Sequence, residues 1–256
     1  MLTKNELKYY SSLLIKKFRD EENKFLIEGK KISEEALNSN YQIEIALYTH
    51  KFFRKERSLI KKLNLRNIRQ ELLKEEEFVK VSDTQNPQGI TFVLKKKDRN
   101  IDIPINENFI IGLENISDPG NLGTIIRNCD WFGLNNLILN ENCAEIYNPK
   151  VLRSTMGSIF NVTIFEKFNL YFELEKLKNS GYSIFSTDLE GENIFTFRMP
   201  KKSFIVFSNE ANGPSKKLNE LASKKITIPK FGRAESLNVA SASSIILAEI
   251  FKQHFL

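Results

Sequence analysis

The chain has 256 residues, 41% of them apolar and 27% charged, enough for one large domain or two small ones and too apolar for wholesale disorder. No apolar run approaches the ~20 residues of a membrane span, and the opening MLTKNELKYYSSLLIKKF lacks the apolar core of a signal peptide. Cys129 and Cys143 are too few for a disulfide scaffold, and with two His they make no zinc spacing. A cytoplasmic protein with no structural metal and no membrane partner is expected.

The net charge of +6 is unevenly placed: residues 1–100 hold 22 Lys+Arg against 15 Asp+Glu, the remainder 16 against 17. A basic front segment joined to a neutral, glycine-bearing one suggests a module for a polyanion attached to a module with tight loops. The front segment opens on a helix in which Leu7, Tyr10, Leu14 and Phe18 recur at helical spacing. Strand-like runs follow at Phe25–Glu28, Ile43–Thr49, Phe78–Val81 and Ile90–Leu94, with helices around Ile32–Leu37 and Arg57–Leu63 between them. This alternation reads as a small α/β sandwich over residues 1–98. Lys51, Arg54, Lys55, Arg57, Lys61, Lys62, Arg66 and Arg69 crowd one part of it. They form either a phosphate-binding face or a solvated helix surface.

A charged and then polar stretch (KKKDRNIDIPINEN, 95–108) holds the linker, drawn at 99–108, and residues 109–256 resume βα alternation. Strands are predicted at Phe109–Leu113, Leu137–Leu139, Ser183–Ser186, Phe204–Phe207 and Ile226–Ile228. Helices are predicted after Gly123, after Asn148, across Leu170–Lys178, after Pro214 and from Ser236 onward. Apolar strands separated by helices imply a parallel sheet covered on both faces.

Glycine, asparagine and proline collect just after three of these strands, where ligands bind in open α/β sheets. The first stretch is IIGLENISDPGNLGTIIRNCDWFG. With the helix beginning after Gly123, Arg127 falls in its first turn, where a cation opposes the helix dipole. It serves there either as a grip on an anion, or as the partner of a nearby carboxylate in a helix capped by Asn121 or Thr124. The second stretch, SFIVFSNEANGPS, runs a buried strand directly into Ser208, Asn209 and Glu210; Glu210 faces the same loops or is a surface turn acid. The third, ITIPKFGRAESLNVASASSIILAEIF, leads through Gly232 to Ser236 at a helix start and then to a slim surface of Ala240, Ser241, Ala242, Ser243 and Ser244. That surface permits close packing against a neighbouring segment or a second subunit. Neither a Walker A lysine motif nor G-x-G-x-x-G is present.

In this order and spacing the three stretches resemble the signature motifs of the SpoU/TrmH family of RNA 2′-O-ribose methyltransferases, within the SPOUT superfamily. The front segment, with FLIEGKKISEEAL, is similar to that family's substrate-binding domain, related in fold to kink-turn-binding ribosomal proteins. The resemblance implies a parallel α/β domain with a deep trefoil knot, a homodimer, S-adenosylmethionine as cofactor and RNA, most of all ribosomal RNA, as substrate. Transfer RNA, or catalytic silence on the same fold, are the alternatives. It makes Asn121, Arg127, Glu210, Ser236 and Asn238 the catalytic set, and puts Ser208, Asn209, Glu210, Ile228 and Leu237 against the cofactor. Ser208 stands where the family has glycine. Lys51, Arg54, Lys61, Lys62 and Arg66 would contact RNA. Ile245, Ile246, Ile250 and Phe251 on the last helix add apolar surface for the dimer.

The chemistry is consistent with this set. Methyl transfer to a ribose hydroxyl needs in-line positioning and a way to handle the hydroxyl proton. The two histidines, His50 and His254, lie in the front segment and near the last residue. A guanidinium keeps its proton at physiological pH, so Arg127 is expected to bind phosphate and stabilise developing alkoxide charge, with Asn121, Ser236 and Asn238 orienting the ribose. Cys129, among apolar neighbours on the first motif's helix, is expected to be a core residue and not a nucleophile.

Overall fold

A computed structural model describes residues 2–97, 103, 107–166, 169–209 and 212–256. In chain order the elements are α1 (Lys4–Ser12), α2 (Lys16–Glu22), β1 (Lys24–Glu28), α3 (Lys30–Asn38), β2 (Ile43–Thr49), α4 (His50–Lys55), α5 (Arg57–Leu65), β3 (Arg69–Leu73), α6 (Glu75–Phe78) and β4 (Ile90–Lys95). They continue with β5 (Phe109–Glu114), α7 (Pro119–Trp131), β6 (Asn136–Leu139), α8 (Pro149–Thr155), β7 (Thr163–Phe165), α9 (Leu170–Asn179), β8 (Ser183–Asn193), β9 (Ser203–Ser208), α10 (Lys216–Leu221), β10 (Lys224–Thr227) and α11 (Val239–Phe255). Two compact units result: Met1–Asp98 with Ile146–Phe160, and Arg99–Glu145 with Asn161–Leu256.

The first unit is a four-stranded sheet in the order β1-β4-β2-β3, antiparallel except for the β2/β3 pair. Its opening helix is two helices. The carbonyls of Leu13 and Leu14, left without partners where α1 ends, accept from the buried Arg19 guanidinium at 2.9 and 2.7 Å, so the periodicity of Leu7 to Phe18 continues across a break. The strand expected at Phe78–Val81 is instead the end of α6 and a 3₁₀ turn over Val79–Val81. Phe78 and Val81 are both 1% exposed while Val79 is 60% exposed, an i, i+3 burial pattern that a strand cannot produce. β3, an edge strand of sequence RQELL, has no apolar alternation by which to read it. The segment Ile146–Phe160, drawn from sequence within 109–256, packs in this unit: the Tyr147 ring lies 4.3 Å from Phe25 and Arg153 pairs with Asp83 at 2.9 Å.

The second unit is a wholly parallel six-stranded sheet, β10-β8-β9-β5-β6-β7. Every residue of β5, β6 and β9 is buried, as expected for strands covered on both faces. Gly112 is required at the centre, because a Cβ there would meet the Phe204 ring at 2.8 Å. Two helix starts differ from expectation. α7 begins at Pro119, with the Asp118 carboxylate accepting from the Asn121 N–H at 2.8 Å, so neither Asn121 nor Thr124 is the cap and Arg127 sits in the third turn. The argument from a cation in the first turn therefore fails, whatever the role of Arg127. α11 is capped by Asn238 and not by Ser236, which precedes it on an exposed loop.

Candidate cofactor and catalytic site

Beyond the carboxyl ends of β8, β9 and β10, in the second unit, lies a cleft of about 580 Å3. Ser208, Asn209, Ile228, Ser236 and Leu237, all predicted from sequence, line it. Buried Ile226, Val239 and Ile246 supply apolar lining. From Lys230 to Leu237 the chain is exposed and irregular, outside any strand or helix. Glu210, predicted for both the catalytic and the cofactor set, lies outside the described residues.

Ser208 ends β9 in regular strand conformation and is absent from the non-glycine residues of positive φ, which are Asn23, Asn67, Asn115, Met156 and Lys202 among those described. The family glycine's conformational freedom is thus not needed here. The Ser208 hydroxyl donates at 2.9 Å to Glu114, a fully buried carboxylate at the end of β5. Glu114 also accepts from the Tyr171 hydroxyl at 2.7 Å, the Ser215 hydroxyl at 2.6 Å and the Ser215 N–H at 3.0 Å. Burial, and then the hydrogen bond to Glu114, push the Tyr171 phenol above its ordinary pKa. The adjoining Asn115, at φ 59°, bonds Asn140 and Asn142 by its side chain and accepts from Asn209 by its carbonyl.

Asn121 and Asn238 come together: the Asn238 amide donates to Asn121 Oδ1 at 2.9 Å, while its own oxygen caps α11 by accepting from Ala240 N–H at 3.0 Å and Ser241 N–H at 3.4 Å. Motifs one and three thus meet through their polar residues. Arg127 is exposed on α7, with no ion pair among the described residues, and neither it nor the Asn121–Asn238 pair is part of the cleft lining. The slim face of α11 is taken by α7: Asn128 donates to Ala240 O at 3.1 Å, Ser243 Oγ at 2.9 Å and Ser244 Oγ at 2.8 Å. Ile246 and Ile250 are likewise buried within the chain, leaving Trp131 and Phe255, 80% and 58% exposed, beside Phe132 and Phe251 as aromatic surface. Cys129 is fully buried and its thiol is pushed up to about 12 by desolvation, helped by Asp130, which suits a core residue.

In the first unit Lys51, Arg54, Lys55, Arg57, Lys61, Lys62 and Arg66 are exposed on α4, α5 and the turn after them, and none makes an ion pair among the described residues. Leu59, Ile60 and Leu63 bury the opposite side of α5. Arg69 is different, being held by Glu6 at 2.8 Å.

The cleft can be tested against S-adenosylmethionine. Its volume lies within the range of small-molecule sites, and its lining joins apolar side chains to irregular backbone with few charges. Such a lining suits an adenine ring and a compact zwitterion, so the residues fit the group.

A parallel α/β unit with a cofactor-sized cleft at its strand ends, joined in one chain to a unit with an exposed basic helix, is the architecture of a two-part RNA-modifying enzyme. Residues 108–248 match the SpoU rRNA Methylase family and residues 4–91 the MRM3-like substrate binding domain. The chain belongs to the SpoU rRNA Methylase family. It is 32% identical, over 94% of each chain, to the 23S rRNA (guanosine(2553)-2'-O)-methyltransferase RlmP of Bacillus subtilis. An AdoMet-bound rRNA methyltransferase from Sinorhizobium meliloti matches at TM-score 0.83 and 29% identity, covering 100% of this chain and 97% of the other. The A. aeolicus TrmH/SpoU tRNA modifying enzyme matches at TM-score 0.52 and 34% identity, over 58% of this chain and 76% of its own.

Sequence reasoning missed Glu114, Asn115, Asn128 and Asp118. Only Asp118, as an Asp-Pro pair before a helix, carried a local signal. The others matter through partners 25 to more than 100 residues away.

Proposed function

We propose that this chain, an RNA 2′-O-methyltransferase by family, methylates a ribose of large-subunit ribosomal RNA with S-adenosylmethionine held in the cleft. One observation carries the cofactor assignment: the second and third motifs supply the cleft's own walls through Ser208, Asn209, Ile228 and Leu237. For the substrate, the 23S rRNA enzyme RlmP aligns with both units, whereas the tRNA enzyme of A. aeolicus aligns with 58% of the chain. The protein acts in the cytoplasm, where ribosomal RNA is made and modified in bacteria.

When bound, S-adenosylmethionine supplies an electrophilic methyl group on a sulfonium. The chain's residues do the rest. Asn121 and Asn238, bonded amide to amide, fix the approach of the two motif helices and orient the ribose beside them. Ser236, on the cleft wall, orients the same sugar. Arg127 binds the adjoining phosphate and stabilises the developing alkoxide charge, the hydroxyl proton passing to solvent as the methyl group bonds to the oxygen and leaves the sulfonium. The basic face of α4 and α5 holds the RNA by its phosphates, which positions the substrate without reading its sequence.

Arg127 lies outside the cleft lining of its own chain, and Trp131, Phe132, Phe251 and Phe255 leave an aromatic surface beside it on α7 and α11. A homodimer through this surface, with Arg127 serving the partner's cleft, accounts for both. The test is transfer of labelled methyl from S-adenosylmethionine to unmodified RNA. Label is expected in 23S rRNA and not in bulk tRNA, and label in tRNA alone would reverse the substrate assignment.

A further inference from the structure

We propose that Glu114 is a positioning residue for the cofactor cleft: its buried carboxylate, gripped by Tyr171, Ser208 and Ser215, fixes Ser208–Asn209 and Asn212–Ser215, the two described flanks of a turn along one wall. This rests on the reading of that cleft as the S-adenosylmethionine site. The two ends of the turn are both tied to Glu114. Ser208 donates its hydroxyl to Oε2, and Ser215 donates its N–H to Oε2 and its hydroxyl to Oε1. Between them the Asn209 N–H donates to the Glu114 carbonyl at 3.1 Å. Asn209, Asn212, Gly213 and Pro214 line the cleft. Tyr171, reaching from α9, completes the set on Oε1 without lining the cleft itself.

The donor count makes the carboxylate specific. Four donors converge on two oxygens, and a carboxylate offers acceptor positions to all four at once. A carboxamide with its NH2 at the Oε2 position would face the Ser215 N–H, which can only donate, and with its NH2 at the Oε1 position would force the Tyr171 and Ser215 hydroxyls to turn from donor to acceptor. The burial of Glu114 is complete, so no water can take over a lost bond at its surface. Glu114 is also not among the residues that line the cleft. Its effect must pass through the turn it holds.

Glu114→Gln is the direct variant, but it disturbs a fully buried network and can fail to fold. Ser208→Ala and Tyr171→Phe each remove one donor and leave the carboxylate in place. Ser208→Thr keeps the hydroxyl on a residue suited to a strand. Binding of S-adenosylmethionine and S-adenosylhomocysteine to the full chain is measured by calorimetry, with amide hydrogen exchange over 209–215 alongside. Ser208→Ala and Tyr171→Phe should each raise Kd by about fivefold to tenfold, the loss of one charge-assisted bond, and speed exchange in the turn. Ser208→Thr, which keeps the hydroxyl donor, should bind more tightly than Ser208→Ala. In turnover, Tyr171→Phe should raise the KM for S-adenosylmethionine while kcat at saturation stays within about twofold. Unchanged Kd in Ser208→Ala and Tyr171→Phe, with the wild type binding normally, overturns the positioning role. A wild type that binds neither ligand overturns the cleft assignment itself.

Discussion

Asn238 does two jobs that can be separated by substitution. Its side-chain oxygen caps the 17-residue α11, and its amide bridges to Asn121 on α7. Losing an Asn cap costs about 1 kcal/mol, and losing a neutral hydrogen bond about another 1 kcal/mol. Asn238→Ala should therefore destabilise the second unit by about 2 kcal/mol and lower its melting temperature by about 4–8 °C. Ser is as good a cap but too short to reach Asn121, so Asn238→Ser should lose only the bridge, about 1 kcal/mol. Asn121→Ala removes the same bridge from the other side. Chemical denaturation of the single and double variants gives the coupling directly, and Asn121→Ala with Asn238→Ser should cost little more than either alone. Both bridge variants should cut methyl transfer more than S-adenosylmethionine affinity. Additive losses in the double variant, or equal losses in Asn238→Ser and Asn238→Ala, would refute the division of roles.

Other outcomes follow from the same geometry. Arg127→Ala should leave S-adenosylmethionine affinity within a few-fold and cut turnover by roughly 100-fold, measured by single-turnover methyl transfer. Neutralising Lys61, Lys62 and Arg66 together should flatten the dependence of RNA affinity on salt without moving the methylated nucleotide. Cys129→Ala should keep methyl transfer, since a buried thiol pushed up to about 12 is not a nucleophile at neutral pH. Glu6 is held down to about 2 by Arg69 and Thr3. Its contribution to stability is present above its unfolded value near 4.5 and lost as pH falls toward 2, so Glu6→Gln should flatten the acid limb of a melting-temperature profile.

The parallel sheet was legible because each of its main strands is an apolar run followed by a loop rich in Gly, Asn or Pro. Three motifs falling in register at strand ends then pointed to the cleft. Elements without apolar periodicity were not legible: β3, RQELL, has no apolar alternation, and β7 is three residues long. The helix starts moved because capping depends on which side chain reaches the free N–H groups, a choice among Asp118, Asn121 and Thr124 that spacing does not make. Glu114 was hidden for a different reason. An acid ending an apolar strand looks like a surface residue until Tyr171, Ser208 and Ser215 arrive around it from later in the chain. The same holds for Ile146–Phe160, whose place with the first unit depends on Tyr147 meeting Phe25.

The central claim is that the chain transfers a methyl group to a ribose hydroxyl of large-subunit ribosomal RNA. The most direct measurement incubates purified protein and S-adenosylmethionine with unmodified 23S rRNA, digests the RNA and locates the added mass. The expected result is a single nucleotide carrying the methyl on its 2′-oxygen, formed far more slowly with Arg127→Ala. A methyl on a base, or none on RNA that the protein demonstrably binds together with the cofactor, would contradict it.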